Sequence, residues 1–444
     1  MIAILKREWK SYFQNITGWL FIAAVLALYG LYFLAYNLRA GYPYVSYTLS
    51  AISFIMLIAV PILTMRSMAE ERHSRTDQLV LTAPVSLGKM IFGKFLAMVG
   101  VFTVAVAVIA VTPLVLAAFG TVPMGENYVA VLGFWLYGCT CIAVGMLASA
   151  LTESQVIAAV VAFAFLFLGY MMNSITGLIG DHLITKVLGA YDLYTPLQSF
   201  MSGCLDLTGV VYFVSVTGLC LFLTCQCVQK RRWSMTTKKL TTGMFSVAMI
   251  VVGFAVAIAA NLVVKEMPSS WTAVDATSTK MYSLTDTTKD YVKNLSQDVT
   301  IYVLSSEKSA DSTLAETLQR YEDLSKHLKV VYKDPEKSPN FYQQYTDSAP
   351  SQNSMIVESD ARSRVVDYSD VYEYSYDYST YSSSVDGYDA EGQLTSALQY
   401  VTKADSELPV IYEITGHGEN TLSGGFSEAV EKANMTVSQL TLLT

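Results

Sequence analysis

Charge is scarce in this chain. Charged residues make up 15% of it, against roughly 25% in a soluble domain, and the shortage is uneven. Residues 1–264 hold 15 Lys/Arg and 9 Asp/Glu, a net of +6, whereas residues 265–444 hold 14 and 28, a net of −14. The overall −8 therefore averages an apolar half with basic loops and an acidic half suited to water. Cysteine is missing from the acidic half altogether, which excludes a disulfide framework and thiol chemistry there. All six (Cys139, Cys141, Cys204, Cys220, Cys225 and Cys227) lie in the apolar half. Most sit in or beside apolar runs, where Cys acts as a small hydrophobe. Cys225/Cys227 is C-x-C, not the C-x-x-C of a redox or zinc site. No G-x-x-x-x-G-K-[ST] loop is present to hold nucleotide phosphates. In "GGFSEAVEK" the glycines are too close together and the lysine is too far away. H-E-x-x-H is absent too, and the middles of the apolar runs lack the acids and histidines that mark intramembrane chemistry. These absences leave no catalytic residue, no metal site, no cofactor bound by this chain and no nucleic-acid partner to expect.

What is plentiful is long apolar sequence. A helix needs about 20 apolar residues to cross a bilayer core. Seven segments qualify or nearly so: 17–36, 47–65, 93–119, 128–151, 155–177, 209–228 and 243–264. The third holds Pro113, which predicts a kink or tilt. No early cleavage site follows the first, so it reads as a retained span and not as a signal peptide. Basic residues favour the cytoplasmic side of a membrane. They cluster at Lys6, Arg7 and Lys10, at Arg66, Arg72, Arg75, Lys89 and Lys94, and at Lys230, Arg231, Arg232, Lys238 and Lys239. The alternate loops hold only Arg39 and Lys186. A multi-pass cell-membrane protein follows, with its N-terminus cytoplasmic and residues 265–444 extracytoplasmic. In residues 1–15, Ile2, Leu5, Trp9 and Tyr12/Phe13 recur at helical spacing opposite Lys6, Arg7 and Lys10. That pattern predicts an interfacial amphipathic helix against membrane lipids.

Between the second and third runs stands "RSMAEERHSRTDQLVLTAPVSLGK", residues 66–89. Residues 68–81 lack Gly and Pro and can be helical until Pro84 stops them. Such a helix is either a solvated face that anchors topology or a docking element for a soluble partner. The cluster Glu70-Glu71-Arg72, then Thr76, Leu79 and "TAPVSLGKMIFGKFLA", resembles the corresponding loop of type-2 ABC exporter permeases. Arg75 stands where that family commonly has Gly. "YTPLQSFMSGCLDLTGVVYF", residues 194–213, resembles the segment before the family's sixth span. The resemblance covers residues 1–230 and implies a six-span permease domain over 16–230, followed by a cytoplasmic linker and seventh span over 231–264. It implies that the charged loop is a coupling helix seated on a separate ATP-binding subunit, which would carry ATP and Mg. Glu70, Glu71, Arg72, Thr76, Asp77, Leu79 and Pro84 would be its contact residues. Exposed charges there would choose partner and register, with Leu79 or Leu81 as an apolar anchor. The family also implies a permease homodimer or heterodimer, outward transport, and short re-entrant helices over 178–207. Phe200, Gly203, Asp206 and Tyr212 would mark that outer mouth.

Beyond the seventh run, Asp275, Thr277, Lys280, Tyr282-Ser283-Leu284 and Thr287 resemble the opening of the auxiliary extracytoplasmic domain of gliding-motility (Gld-type) ABC systems. "RYEDLSKHLKVVYKDPEKSP", "EGQLTSALQYVT" and "LPVIYEITGHGEN" continue the likeness. The residue pattern gives a strand at 299–304, a helix at 313–327, a strand at 328–332 and a short helix at 340–346. Strands at 355–357 and 365–368 and a helix at 391–401 follow. This order predicts a thioredoxin-like α/β domain over 265–404. Residues 405–444 start a second α/β unit, whose two strands are too few for a stable core, so it is expected to be truncated. Gly416-His417-Gly418-Glu419 reads as a tight glycine turn or a ligand turn at a strand's end. A His417/Glu419 acid–base pair would lack an accompanying nucleophile. Residues 367–389 combine tyrosines and six acids with no Lys or Arg. They read as a strand and an acidic mobile loop, or as a surface for a cationic or sugar-like ligand. The expected fold class is an α-helical membrane protein of six permease spans plus a seventh, followed by an α/β extracytoplasmic domain. The expected function is the permease subunit of an ABC exporter. The alternative is a membrane-anchored envelope or motility scaffold, or an extracytoplasmic binding module.

Overall fold

The computed structural model describes residues 2–74, 86–179, 188–230, 239–267, 272–277, 283–307, 309–377, 382–403, 409–415 and 424–441. The chain divides into two compact units, Met1–Thr279 and Lys280–Thr444. In the first, a helix Ile2–Gln14 precedes the membrane helices. Among the described residues, seven helices are long and apolar enough to cross a membrane: Ile16–Arg39, Ser46–His73, Leu87–Ala117, Met124–Leu151, Gln155–Ile179, Leu207–Gln229 and Val247–Lys265. They are the seven apolar runs of the sequence, and are numbered here as spans one to seven.

Span four is the hub, with 83% of its apolar window buried, against 0% for span seven. Its small residues explain this. Lipid tails give helices little hydrophobic reason to associate, so close backbone approach through small side chains carries the packing. A methyl group at Gly133 would overlap Phe200, and one at Gly145 would overlap Thr64 of span two. Span three breaks where its proline predicts: Leu87–Ile109 ends, and Thr112–Ala117 restarts with Pro113 in its first turn. Proline is harmless there because first-turn amides have no partner within their helix. Span one closes in a π-helical turn, Leu34–Arg39. The buried Asn37 in that turn donates to the carbonyls of Tyr42 and Tyr44 and accepts from Thr48. Two short strands complete this unit: β1 (Cys204–Asp206) and β2 (Ala273–Asp275) pair antiparallel.

The second unit holds a four-stranded sheet of β3 (Val299–Val303), β4 (Leu328–Tyr332), β5 (Met355–Ser359) and β6 (Ser363–Val366). Its order is β4-β3-β5-β6; β3 runs parallel to β4, and β5 is antiparallel to both its neighbours. Val299, Ile301 and Val303 alternate inward along β3, the period-2 pattern of a half-covered strand. They meet Leu314, Leu318 and Tyr321 of the helix Ser312–Leu324 in one core with Leu394, Ala397 and Leu398 of the helix Ala390–Thr402. Tyr321 reaches that core without stranding its hydroxyl, which bonds Thr395 Oγ1 at 2.7 Å and the Glu391 carbonyl at 3.1 Å.

Residues 372–377 form the strand expected here, and residues 382–388 form a second strand where the acidic loop was expected. β7 (Tyr372–Asp377) and β8 (Ser382–Tyr388) form an antiparallel ribbon with a bulge at Glu373/Tyr374. Tyrosine on alternate residues favours a strand. Tyr372 also turns inward, packs against Tyr368 and Tyr388, and donates its hydroxyl to Asp311 at 3.1 Å. Beyond the helix Ala390–Thr402, β9 (Val410–Thr415) and β10 (Thr436–Thr441) pair in parallel on either side of the helix Gly424–Lys432. Asn434, at φ 56°, supplies the left-handed residue that ends this helix, and its amide bonds the Ser396 carbonyl at 2.8 Å.

Candidate functional site

The charged stretch at the end of span two begins as a helix, Arg66–His73. It restarts after Met65 and turns its first residues inward, so that Ser67, Met68 and Ala69 are buried. Early amides of a helix lack partners within it. Here Met68 N and Ala69 N both donate to Ser149 Oγ of span four at 3.1 Å. Ser149 donates in turn to the Met65 carbonyl at 3.0 Å. One hydroxyl therefore fixes the start of the charged helix to the hub.

The second tie is ionic. Lys94 of span three is only 3% exposed. Its Nζ lies 2.6 Å from Glu71 Oε1, 3.4 Å from Glu8 Oε1 and 3.2 Å from the Ser67 carbonyl. Arg7 closes a ring, 2.6 Å from Glu8 and 3.6 Å from Glu71. Two cations and two carboxylates thus alternate around four sides, drawn from the N-terminal helix, the charged helix and span three. A buried ion costs several kcal/mol unless its partners are well placed, and two carboxylates plus a carbonyl meet that need at Lys94.

Each sequence-predicted contact residue that can be located has a partner within the chain. Glu70 accepts two bonds from Arg66, at 2.7 and 2.8 Å. Glu71 faces Lys94. Arg72 pairs with Glu153 at 2.7 Å and donates to the Leu151 carbonyl at 3.4 Å. Thr76, Asp77, Leu79 and Pro84 lie outside the described residues. Sequence reading counted Lys94 among the loop cations and missed the ring. Its signal was Glu8, the sole acid in the first 69 residues, set among three basic neighbours that would otherwise repel one another.

The other sequence-predicted cluster surrounds β1. Asp192 receives the amides of Tyr194 and Thr195 at 2.9 and 3.1 Å, which caps the helix Thr195–Met201. Phe200 of that helix is fully buried, lies over Gly133 and Gly209, and packs against Phe213. Gly203 has φ +84°, and a Cβ there would sit 2.8 Å from Glu126 Cγ, so both backbone angle and space require glycine. Asp206 accepts from Thr208 N at 2.8 Å and Tyr212 donates to the Ala190 carbonyl at 3.3 Å. β2 then lies along β1 in three residue pairs, Cys204 opposite Asp275, and Ala276 N donates to the Gly203 carbonyl at 3.2 Å. Asp275 and Thr277, read from sequence as the opening of an outer domain, therefore pack within the membrane-spanning unit. Gly416, His417, Gly418 and Glu419 lie outside the described residues. Among the described residues, no His, Cys, Asp and Glu side chains gather in a group able to hold a metal ion.

The first unit thus combines seven candidate spans, a tethered charged helix and a glycine-packed hub. Residues 39–228 match the family model of the ABC-2 family transporter proteins. That match supports an ABC transporter permease within a multi-pass membrane protein. Permeases of this family are membrane transport components that normally work with an ATP-binding subunit. Residues 278–371 match a family model described as a domain of unknown function (DUF7088). No curated protein and no solved structure matches the chain.

Proposed function

We propose that this chain is the permease subunit of an ABC exporter, coupling ATP hydrolysis on a separate subunit, which holds ATP and Mg, to outward transport. The observation that carries this is the tethering of the helix Arg66–His73. A helix that only anchored topology would need no ties, yet this one is fixed to span four through Ser149 and to span three through Lys94. A push on the residues beyond it would be delivered to the bundle. The basic loops favour a cytoplasmic position for this end, which leaves residues 265–444 extracytoplasmic and β1–β2 at the outer mouth. In the second unit, the order β4-β3-β5-β6 with β5 antiparallel supports a thioredoxin-like domain. With no cysteine it would serve binding and not redox chemistry, as an auxiliary module of gliding-motility type. A permease dimer completes the reading.

Co-purification of the full chain from its native host tests this. The expected result is a bound ATP-binding subunit, lost on Leu79→Glu at the expected apolar anchor. A preparation free of any ATPase, under conditions that keep complexes intact, would favour a membrane-anchored scaffold built around the acidic second unit.

A further inference from the structure

The ring of charges around Lys94 separates residues that transmit force from residues that dock. We propose that Lys94 is a positioning residue for coupling: it clasps the N-terminal helix Ile2–Gln14 and the charged helix Arg66–His73 to span three, so that the three move as one body. The proposal rests on the permease reading and deepens it.

Three observations carry it. Glu8 and Glu71 come from separate elements, yet both reach one buried ammonium, at 3.4 and 2.6 Å. A lysine that served only as a topology signal would extend into water, whereas this one is 3% exposed. The N-terminal helix is also seated on span three by packing: Trp9 lies so closely over Gly100 that no Cβ fits there. Lys94 and Gly100 are six residues apart in one helix, so the ring and the Trp9 notch hold the N-terminal helix at two levels. That helix is therefore part of the moving machinery as well as a candidate lipid contact.

Glu71 follows from the same geometry. Its carboxylate is engaged by Lys94 and Arg7, so it serves the clasp, and recognition of the ATP-binding subunit falls to residues beyond it. Alternation of sign makes the ring tolerant of small shifts. Each ion has an opposite neighbour on both sides, and ion-pair energy changes gradually with distance. The clasp can follow span three through a stroke without letting go.

The experiment places spin labels at Lys10→Cys and His73→Cys, both exposed, in the full chain; the six native cysteines are buried or half-buried. The native ring should give one narrow label-to-label distance, unchanged by ATP when the ATP-binding subunit is present. Lys94→Met should broaden it, and Lys94→Arg should keep it narrow. Glu8→Gln leaves the Lys94–Glu71 pair in place and should broaden it too, which keeps the test available if Lys94→Met fails to fold. A distance that stays narrow in both Lys94→Met and Glu8→Gln would overturn the clasp, because packing alone would then hold the helices. In the purified complex, Lys94→Met should retain the ATP-binding subunit while its ATPase rate falls about tenfold, within the range of ordinary coupling energies. Loss of the subunit, or an unchanged rate, would overturn the coupling role. Should no such subunit accompany even the native chain, the permease reading falls, and the distance measurement still decides the clasp.

Discussion

The two ends of the bundle are held by different forces. Around Lys94 the ties are ions, set on three separate elements and meeting at one point. Around β1 they are backbone hydrogen bonds and close packing, with Phe200 over Gly133 and Gly203 wedged against Glu126. The difference is mechanical. Coulomb attraction falls slowly with separation, so an ion ring stays engaged over an ångström of sliding. Hydrogen bonds and van der Waals contacts lose most of their strength over that distance. The first end is therefore suited to a stroke, and the second to holding one position or releasing it.

The largest expected effect comes from breaking the ionic end. Lys94→Met leaves Glu8 and Glu71 close together with Arg7 alone to separate them, and removing one partner of a buried ion set costs about 3–5 kcal/mol. Thermal unfolding of the full chain in detergent reads this. Adding Glu71→Gln to Lys94→Met should recover part of the loss, since the repulsion is then relieved. No recovery would mean that Lys94 contributes through its packed stem and not through its charge.

The strand end should break more locally. Ala276 N donates to the Gly203 carbonyl, so the alternation of an antiparallel ladder makes Leu205/Val274 a hydrogen-bonded pair as well. Val274→Pro then removes one ladder bond and should cost about 1 kcal/mol, read as faster labelling of the buried Cys204 by a thiol reagent. The same alternation makes Cys204/Asp275 a close pair, with Cα atoms about 4.5 Å apart, within the reach of a disulfide. Asp275→Cys should cross-link to Cys204 under mild oxidation. Failure of that cross-link would remove β2 from this end and leave the comparison one-sided.

Much of this was legible in the residues. Long apolar runs gave the spans, because bilayer thickness sets helix length. Pro113 marked the break in span three, because a missing amide leaves a local trace. The β1–β2 pair left no such trace, and the Lys94 ring left only Glu8, a lone acid among basic neighbours with nothing to name its partner. Cys204 and Asp275, like Glu8 and Lys94, are distant in sequence, and their meeting depends on how helices pack. Residues 367–389 were legible only in part, as one strand and a loop, for a related reason. Net charge argued for a loop, while the core contact that makes a strand worthwhile is a single tyrosine, Tyr372, whose partner Asp311 lies 61 residues away. At the charged stretch, the lack of Gly and Pro predicted a helix, and one stands at Arg66–His73, but the direction of Glu71 depends on a lysine in another span.

The smallest expected effect asks whether a carboxylate needs a counter-ion at all. Asp367, in the second unit, has no cation among its hydrogen-bond donors in the described residues. Burial tends to raise its pKa, but donors from Ser351 and Ser369, side chain and backbone, outweigh burial and hold it at about 2, below its ordinary 3.8. A folded pKa below the unfolded value stabilises the fold above pH 3.8, and the contribution is lost as pH falls through about 2. The group is partly exposed, so solvent screening limits the effect to under about 1 kcal/mol. Asp367→Asn should lower the unfolding temperature slightly at pH 6, and the gap from the native chain should close as pH drops below 4. A gap that persists at low pH would assign the effect to the shape of the side chain. A gap that closes would show that hydrogen bonds alone can hold a charge in this protein. Opposite charges around Lys94 would then be needed for the tolerance of movement they provide, beyond the neutralisation of buried ions.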